Sequence, residues 1–287
     1  MLREALAAIG EQDYPGRVET IVVFDQSDPD PGLVSSDDLR PVRVVANDRG
    51  PGLAGARNCG ILHSDTEFVA FCDDDDLWLP GKLSAQVAAL SEEPGAELVC
   101  TGIRVLYGDT TVDRILPQRR VQLTDLLRDR LTELHPSTFL IRRAALVDGF
   151  GLVDEQIPGS YAEDYEFLLR AARSAPLLNV DEVFVAVRWH KQSYFASRWG
   201  TISTALSWLL DRYPEFETVP HGQARVSGQI AFATAAAGDR RGAVRWAGRT
   251  LRHNPREARG YLALAVASGA LSADRVMRQL HKHGKGL

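Results

Sequence analysis

Apolar positions recur at a helical period in some stretches of the chain and as short unbroken runs in others, and the alternation sets its elements. Leu2, Leu6 and Ile9 fall at helical spacing, so the sequence opens in an amphipathic helix that ends near Asp13-Tyr14-Pro15. Residues 18–24 are rich in β-branched side chains and read as a strand running into a polar turn cluster at 25–32. A further short strand at 42–46 is followed by a glycine-rich loop and a helical stretch at 56–62. Residues 68–72 are an uninterrupted apolar run of the kind that makes a strand buried on both faces. Four carboxylates follow at once, Asp73-Asp74-Asp75-Asp76, and then Pro80, which can open a helix at its first turn.

Leu83, Val87 and Leu90 mark that helix, closed by Pro94-Gly95. Residues 97–107 and 110–116 read as a hairpin about Gly108-Asp109, 123–131 as a short helix, and 135–141 as a strand. Arg142 and Arg143 start a helix ending at Gly149. Tyr165, Leu168, Leu169 and Ala172 define another helix, with Glu163 and Asp164 in its first turn. The chain then runs through 177–180 to a strand at 183–187 and a polar-aromatic stretch from Arg188 to Tyr194. Beyond residue 197 the pattern is wholly helical, at 202–210, 227–237, 241–253 and 256–268. Its breaks at Pro214, Gly238-Asp239 and Asn254-Pro255 give helix-turn-helix punctuation close to one tetratricopeptide-like unit with partial neighbours.

These patterns predict an α/β domain over residues 1–197 and a small helical domain over 198–287. A chain of 287 residues, 45% hydrophobic, has room for both cores. The net charge of −5 names no partner, but its distribution is uneven. From His221 onward there are 12 Lys/Arg against 3 Asp/Glu; before it, 21 against 35. Arginines on the outer faces of the last helices can meet anionic headgroups or a polyanionic acceptor, or be ordinary solvated faces. Cys59, Cys72 and Cys100 lie in or beside apolar segments without metal-ligand spacing, which reads as reduced core thiols of a cytosolic protein. No apolar run is long enough to span a bilayer, so the expectation is a soluble chain, or one peripheral at the inner face of a membrane.

The acid cluster carries the chemistry. Adjacent carboxylates repel, and a divalent cation bound by one or two of them, with phosphate oxygens completing its shell, accounts for their company. An acidic surface turn explains the cluster less well, because the run is fused to an apolar strand and followed by large apolar residues. It also lacks the glycine and closing glutamate of an EF-hand. Asp25, directly after a strand, can accept hydrogen bonds from a base or ribose; capping its own turn is equally open. Gly50, Gly52 and Gly55 satisfy G-x-G-x-x-G, but three polar residues separate the first glycine from the strand, so the match to a dinucleotide fingerprint is discounted. What survives is a glycine-rich helix entry able to face an anion, with Arg57 and Asn58 near it, although on spacing alone Arg57 reads rather as a surface residue. Glu163 and Asp164 are either helix-dipole partners or a general base on a rigid element. His190 is a candidate metal or phosphate contact, though a surface-loop histidine is the commoner outcome, and His135, before Pro136, reads as a packed or capping histidine.

Ala56-Arg57-Asn58-Cys59-Gly60, the run from Phe68 through Asp73-Asp74-Asp75-Asp76-Leu77-Trp78-Leu79-Pro80-Gly81-Lys82-Leu83, and Glu163-Asp164-Tyr165-Glu166-Phe167-Leu168-Leu169-Arg170 together resemble family 2 glycosyltransferases of the GT-A fold. The resemblance covers roughly residues 2–195. It implies a nucleotide-sugar donor, Mn²⁺ or Mg²⁺, and inversion at the anomeric carbon. By position it places Asp25 at the nucleobase, with Arg57 and Asp74 by the nucleotide. Asp73 lies towards ribose and metal, Asp75 on the metal, and His190 near the diphosphate and metal. Asp164 is then the general base, with Glu163 beside it. Relatives begin with a strand carrying a Pro-x-Tyr-Asn-like motif that is missing here, which places the natural start upstream of Met1 or leaves a damaged donor site.

The expected activity is transfer of a sugar to a saccharide or lipid-linked acceptor in cell-surface polysaccharide or glycoconjugate synthesis, with no nucleic acid involved. A sugar-nucleotide nucleotidyltransferase and a non-catalytic nucleotide-sugar-binding module are the alternatives.

Overall fold

The computed structural model describes residues 1–189 and 198–282. They fall into two compact units: Met1–Leu123 with Leu131–Glu155 and Glu163–Lys191, and Thr124–Arg130 with Gln156–Ala162 and Gln192–Leu287. The boundary expected at 197/198 borders residues outside those described.

The first unit opens with α1 (Leu2–Gly10), β1 (Thr20–Phe24), β2 (Val42–Ala46), α2 (Leu53–Leu62), β3 (Phe68–Ala70), β4 (Leu77–Trp78) and α3 (Lys82–Glu92). It continues through β5 (Leu98–Tyr107), β6 (Thr110–Arg114), β7 (Arg120–Val121) and α4 (Leu123–Arg128), the last of which lies largely in the second unit. Then come β8 (Leu140–Arg142), α5 (Arg143–Val147), α6 (Glu163–Ser174) and β9 (Leu177–Arg188). A mixed sheet runs β3-β8-β5-β9-β4, with β6 on β5 and β7 on β9. Its axis is the parallel pair β5–β9, the two longest strands. Val99, Ile103 and Val105 alternate along β5 and bury against Leu83 and Leu90 of α3 and Ile9 of α1. Burial of each such side chain contributes about 1.5–3 kcal/mol.

Four local expectations change. The run at 68–72 gives only three strand residues, and these are half-buried instead of covered on both faces. One side of β3 looks into an open cavity of about 1050 Å³ that β1 and α1 also line. β1 pairs with β2 alone, so among the described residues no strand joins this two-stranded ladder to the larger sheet. Second, the helix after Pro80 begins at Lys82, because Gly81 turns the chain through a left-handed conformation (φ 90°) that few other residues tolerate. Third, the strand expected over 135–141 is a 3₁₀ turn, Pro136–Thr138, before the short β8. The fixed φ of Pro136 and a His135 side-chain cap make that turn, which the apolar pattern alone concealed. Fourth, β9 continues through Asp181 and Glu182, where its register against Thr101–Ile103 is irregular, so two expected segments are one strand.

The second unit is helical: α7 (Trp199–Arg212), α8 (Pro220–Ala236), α9 (Arg240–His253), α10 (Ala258–Ala267) and α11 (Ala273–Lys282). α8 is buried nearly all round, and its alanines, its glycines and Ser227 let neighbours approach closely. At Gly222 an added Cβ would stand 1.9 Å from the carbonyl oxygen of Leu127. α9 has one buried face of Gly242, Ala243, Ala247 and Thr250 and an outer face that carries Arg240, Arg241 and Arg245. α11, which the sequence pattern did not single out, seats Val276, Met277 and Leu280 on the cluster around Phe232. No helix among the described residues is long and apolar enough to cross a membrane.

Candidate active site

The acid run is a closed turn at the end of β3. The Asp76 N–H donates to the Asp73 carbonyl at 3.1 Å, which puts Asp74 and Asp75 at the tip. Asp74 is exposed, Asp73 and Asp75 are half-buried, and Asp76 is buried.

Arg57, from α2, reaches under this turn. Its Nη2 donates to Asp73 Oδ1 at 2.9 Å and its Nη1 to Glu163 Oε1 at 3.1 Å, with only 8% of the side chain exposed. Burial alone would pull the guanidinium down. The charges of Asp73, then Glu163 and Asp164, more than offset this and hold it above the ordinary arginine value. Asp164, half-buried at the start of α6, is therefore within electrostatic reach of the same cation.

Each segment that carries one of these groups is pinned by a phenylalanine. Phe71 precedes the acid turn, Phe139 follows the 3₁₀ turn, and Phe167 sits one helical turn past Glu163. Their centroids stand 6.0–6.3 Å apart, and Phe139 and Phe167 are stacked. The Arg57 guanidinium lies 5.5 Å from the Phe71 centroid, so the cation rests on the same aromatic floor.

The next residue of α2 makes a second tie. Asn58 Nδ2 donates to the Val153 carbonyl and to Glu155 Oε1, and its Oδ1 accepts from the Val153 N–H. Asn58, then Arg49, hold the Glu155 carboxyl below the usual range. The glycine loop has a packing reason of its own: a Cβ on Gly55 would fall 1.8 Å from the Gly50 carbonyl oxygen. Asp25 closes that loop, with Oδ1 accepting from Asn47 Nδ2 and Oδ2 from the Gly52 N–H, both at 2.9 Å. The Asn47 hydrogen bond is the chief reason its carboxyl lies below the usual range.

Asp25, Arg57, Asp73, Asp74 and Asp75 all line the cavity between β1 and β3. Of the residues expected to act together, the structure thus gathers these five on one cavity and links Glu163 and Asp164 to them through Arg57. His190 lies outside the described residues.

Two groups that sequence reasoning gave no chemical role also belong here. Asp73, Asp76 and His135 each bring a possible ligand atom within 4.8 Å of the others. Carboxylate oxygens suit Mn²⁺ or Mg²⁺, and an imidazole beside them favours Mn²⁺ over Mg²⁺. The only sequence signal was Asp76's membership of the acid run; His135 caps its 3₁₀ turn, as read, and also stands 3.4 Å from Asp76 Oδ2. Burial pushes the Asp76 carboxyl up to about 6, against the pull of His135 and the Ser137 hydrogen bond.

A mixed α/β sheet that ends in an acid turn beside a cavity, with a carboxylate-bearing helix close by, is the layout of a GT-A glycosyltransferase. The family model described as glycosyl transferase family 2 matches residues 1–150, over half the chain, and the chain belongs to that family. The glucosyltransferase WfgD of Escherichia coli, which acts from UDP-Glc on α-D-GlcNAc-diphosphoundecaprenol, is 23% identical over 31% of this chain and 34% of its own. The succinoglycan biosynthesis protein ExoO of Rhizobium meliloti is 34% identical over 32% and 26%. The uncharacterized glycosyltransferase RP339 of Rickettsia prowazekii is 24% identical over 72% and 64%. The matches thus span from about a quarter to just under two thirds of these relatives' lengths. Among solved structures, S. aureus TarS 1–349 in complex with UDP-GlcNAc shares the fold at a TM-score of 0.59 and 17% identity, over 94% of this chain and 87% of that one.

Proposed function

We propose that this glycosyltransferase moves a sugar, with inversion, from a nucleoside-diphosphate donor to a hydroxyl of a saccharide or lipid-linked acceptor. The observation that carries the reading is the Arg57 bridge, which holds the acid turn and the start of α6 at one site. Donor use is supported by the UDP-GlcNAc bound to TarS. A polysaccharide or lipid-linked acceptor is supported by the names of ExoO and WfgD.

In this reading Asp25 meets the base, and Asp73 and Asp74 meet the nucleotide. Asp73 and Asp75 would hold Mn²⁺ or Mg²⁺. A bound divalent cation would neutralise charge gathering on the departing diphosphate. Asp164 takes the proton of the acceptor hydroxyl while its oxygen bonds to the anomeric carbon and the bond to the diphosphate breaks. A positioned base of this kind contributes about 10²–10⁴-fold. Glu163, committed to Arg57, orients the neighbourhood of Asp164. The setting is the cytoplasm, supported by three free thiols, with peripheral contact at the inner membrane face through the arginine side of α9. The punctuation of α8, α9 and α10 supports a tetratricopeptide-like reading of the tail.

The test is a screen of UDP-, GDP- and dTDP-sugars by thermal shift with and without Mn²⁺, followed by transfer assays. Asp164→Asn should keep donor binding and lose transfer, and Asp75→Ala should lose metal-dependent donor binding. Unchanged turnover in Asp164→Asn removes that residue from the mechanism.

A further inference from the structure

Below the acid turn lies a buried polar group that does not itself line the cavity. Ser137 is fully buried in the 3₁₀ turn. Its hydroxyl donates to Asp76 Oδ2 at 2.6 Å and accepts the Asp73 N–H at 3.1 Å. Its carbonyl accepts Trp78 Nε1–H at 3.1 Å, and its N–H points at His135 Nδ1 at 3.4 Å. One serine thus meets the acid turn at its first and fourth residues and the strand after it. The next layer is equally tied. The carbonyl of Thr138 accepts Gln86 Nε2–H at 2.6 Å, and Gln86 Oε1 accepts Lys82 Nζ–H at 2.8 Å. Both Lys82 and Gln86 are wholly buried. The 3₁₀ turn is therefore a fixed anvil, and its serine is the part that touches the acid turn.

Two properties set this apart from ordinary core hydrogen bonding. Asp76 is the one residue of the four-acid run that turns inward, and its Oδ2 is engaged by Ser137 with His135 beside it. Asp73 is gripped at both ends, its carboxylate by Arg57 and its main-chain N–H by Ser137. A residue held at its side chain and at its main chain keeps one orientation, and supports of this kind are what hold a binding group to the small tolerances that function needs.

We infer that Ser137 and Asp76 form a clamp that positions Asp73 and, with it, the tip of the turn for binding the donor diphosphate, with Asp76 acting through Ser137 and not as a cation ligand. The inference rests on the proposed donor site, yet its core is testable without it. A hydroxyl-to-carboxylate clamp needs only an acceptor oxygen at residue 76, whereas a divalent-cation ligand loses much of its affinity with the charge.

The experiment combines amide hydrogen exchange at Asp73 with UDP titrations at saturating and limiting Mn²⁺, followed by calorimetry. Ser137→Ala should speed exchange of the Asp73 amide at least tenfold beyond any change in global unfolding, and weaken UDP–Mn²⁺ binding by about tenfold. Asp76→Ala should do the same. Asp76→Asn, which keeps an acceptor for the serine, should cost less than threefold in binding and leave Asp73 exchange slow. Wild-type Asp73 exchange in Ser137→Ala overturns the clamp. A tenfold or greater rise in half-saturating Mn²⁺ for Asp76→Asn, with exchange still slow, overturns the positioning role in favour of direct ligation. Wild-type protein that binds no UDP would refute the donor-site reading, while the exchange measurement would still decide whether Ser137 holds Asp73.

Discussion

Arg57 and Asp73 stand 2.9 Å apart although they belong to different elements sixteen residues apart in sequence, and the other arm of the same guanidinium meets Glu163, 106 residues away. Two carboxylates facing one another this closely would repel; the arginine between them turns that repulsion into cohesion. Its planar fork lets one side chain serve both, which a lysine ammonium does with poorer geometry.

Removing Arg57 should therefore be costly in two ways. Arg57→Ala leaves two carboxylates facing each other without a cation, with an expected loss of about 3–5 kcal/mol in urea unfolding. Arg57→Lys keeps the charge but loses the fork. It should recover part of the stability while UDP–Mn²⁺ binding stays at least tenfold weakened. Wild-type binding by Arg57→Lys would show that the bridge has no bearing on the site.

The phenylalanine floor makes a separate prediction. Phe167→Ala removes a fully buried ring stacked on Phe139, and such truncations cost about 3–5 kcal/mol. Phe167→Leu conserves more of the volume and should cost less than about 1.5 kcal/mol. If the floor also sets the site, Phe167→Leu should lower turnover severalfold more than its stability loss explains, as read by kcat in protein shown to be folded by circular dichroism.

Lys82 gives stability a pH signature. Burial pushes its ammonium down to about 7 from 10.5. Between those values the unfolded chain holds a proton that the folded chain releases, so the folded state gains stability as pH rises through the window. The penalty is full below pH 7 and fades towards 10.5. Over pH 7.5–8.5 the stability of wild type relative to Lys82→Met should climb by at most about 1.4 kcal/mol per pH unit. Urea titrations at three pH values would show it, and a flat difference would mean that Lys82 stays charged in the fold.

The thiols should be poorly reactive while the chain is folded. Burial raises Cys100 far above its ordinary value and pushes Cys72 up to about 12, and Cys59 is raised by burial as well. Since the thiolate is the reactive form, a chromogenic disulfide reagent at pH 8 should modify the buried Cys59 and Cys100 only at the rate of unfolding, and Cys72, which lines the open cavity, slowly in the folded chain. Faster labelling of Cys59 or Cys100 would contradict its placement.

The acid turn was legible in the sequence because everything that defines it is local: an apolar run, four carboxylates and a following helix. The fold was legible for the same reason, since β-branched runs and helical spacing are short-range signals. Spacing alone favoured reading Arg57 as a surface residue, because its meaning lies in partners 16 and 106 positions away. Ser137 sat inside a stretch read as a strand, where its hydroxyl would have had no special direction. Only the proline-set turn aims it at Asp73. Asp181 and Glu182 suggested a break in the chain, yet the strand runs on through an irregular pairing that spacing alone does not reveal. The final helix escaped because its apolar face is narrow and highly charged residues surround it.

The two-stranded β1–β2 ladder has one further consequence. It carries Asp25, and the larger sheet carries Asp73, both on the lining of the cavity. A ligand that touches both residues ties the end of β1 to the turn after β3. Occupancy should then slow amide exchange along Val22, Val23 and Phe24 as well as at the acid turn, so that the donor, once seated, becomes a structural member of the domain it serves.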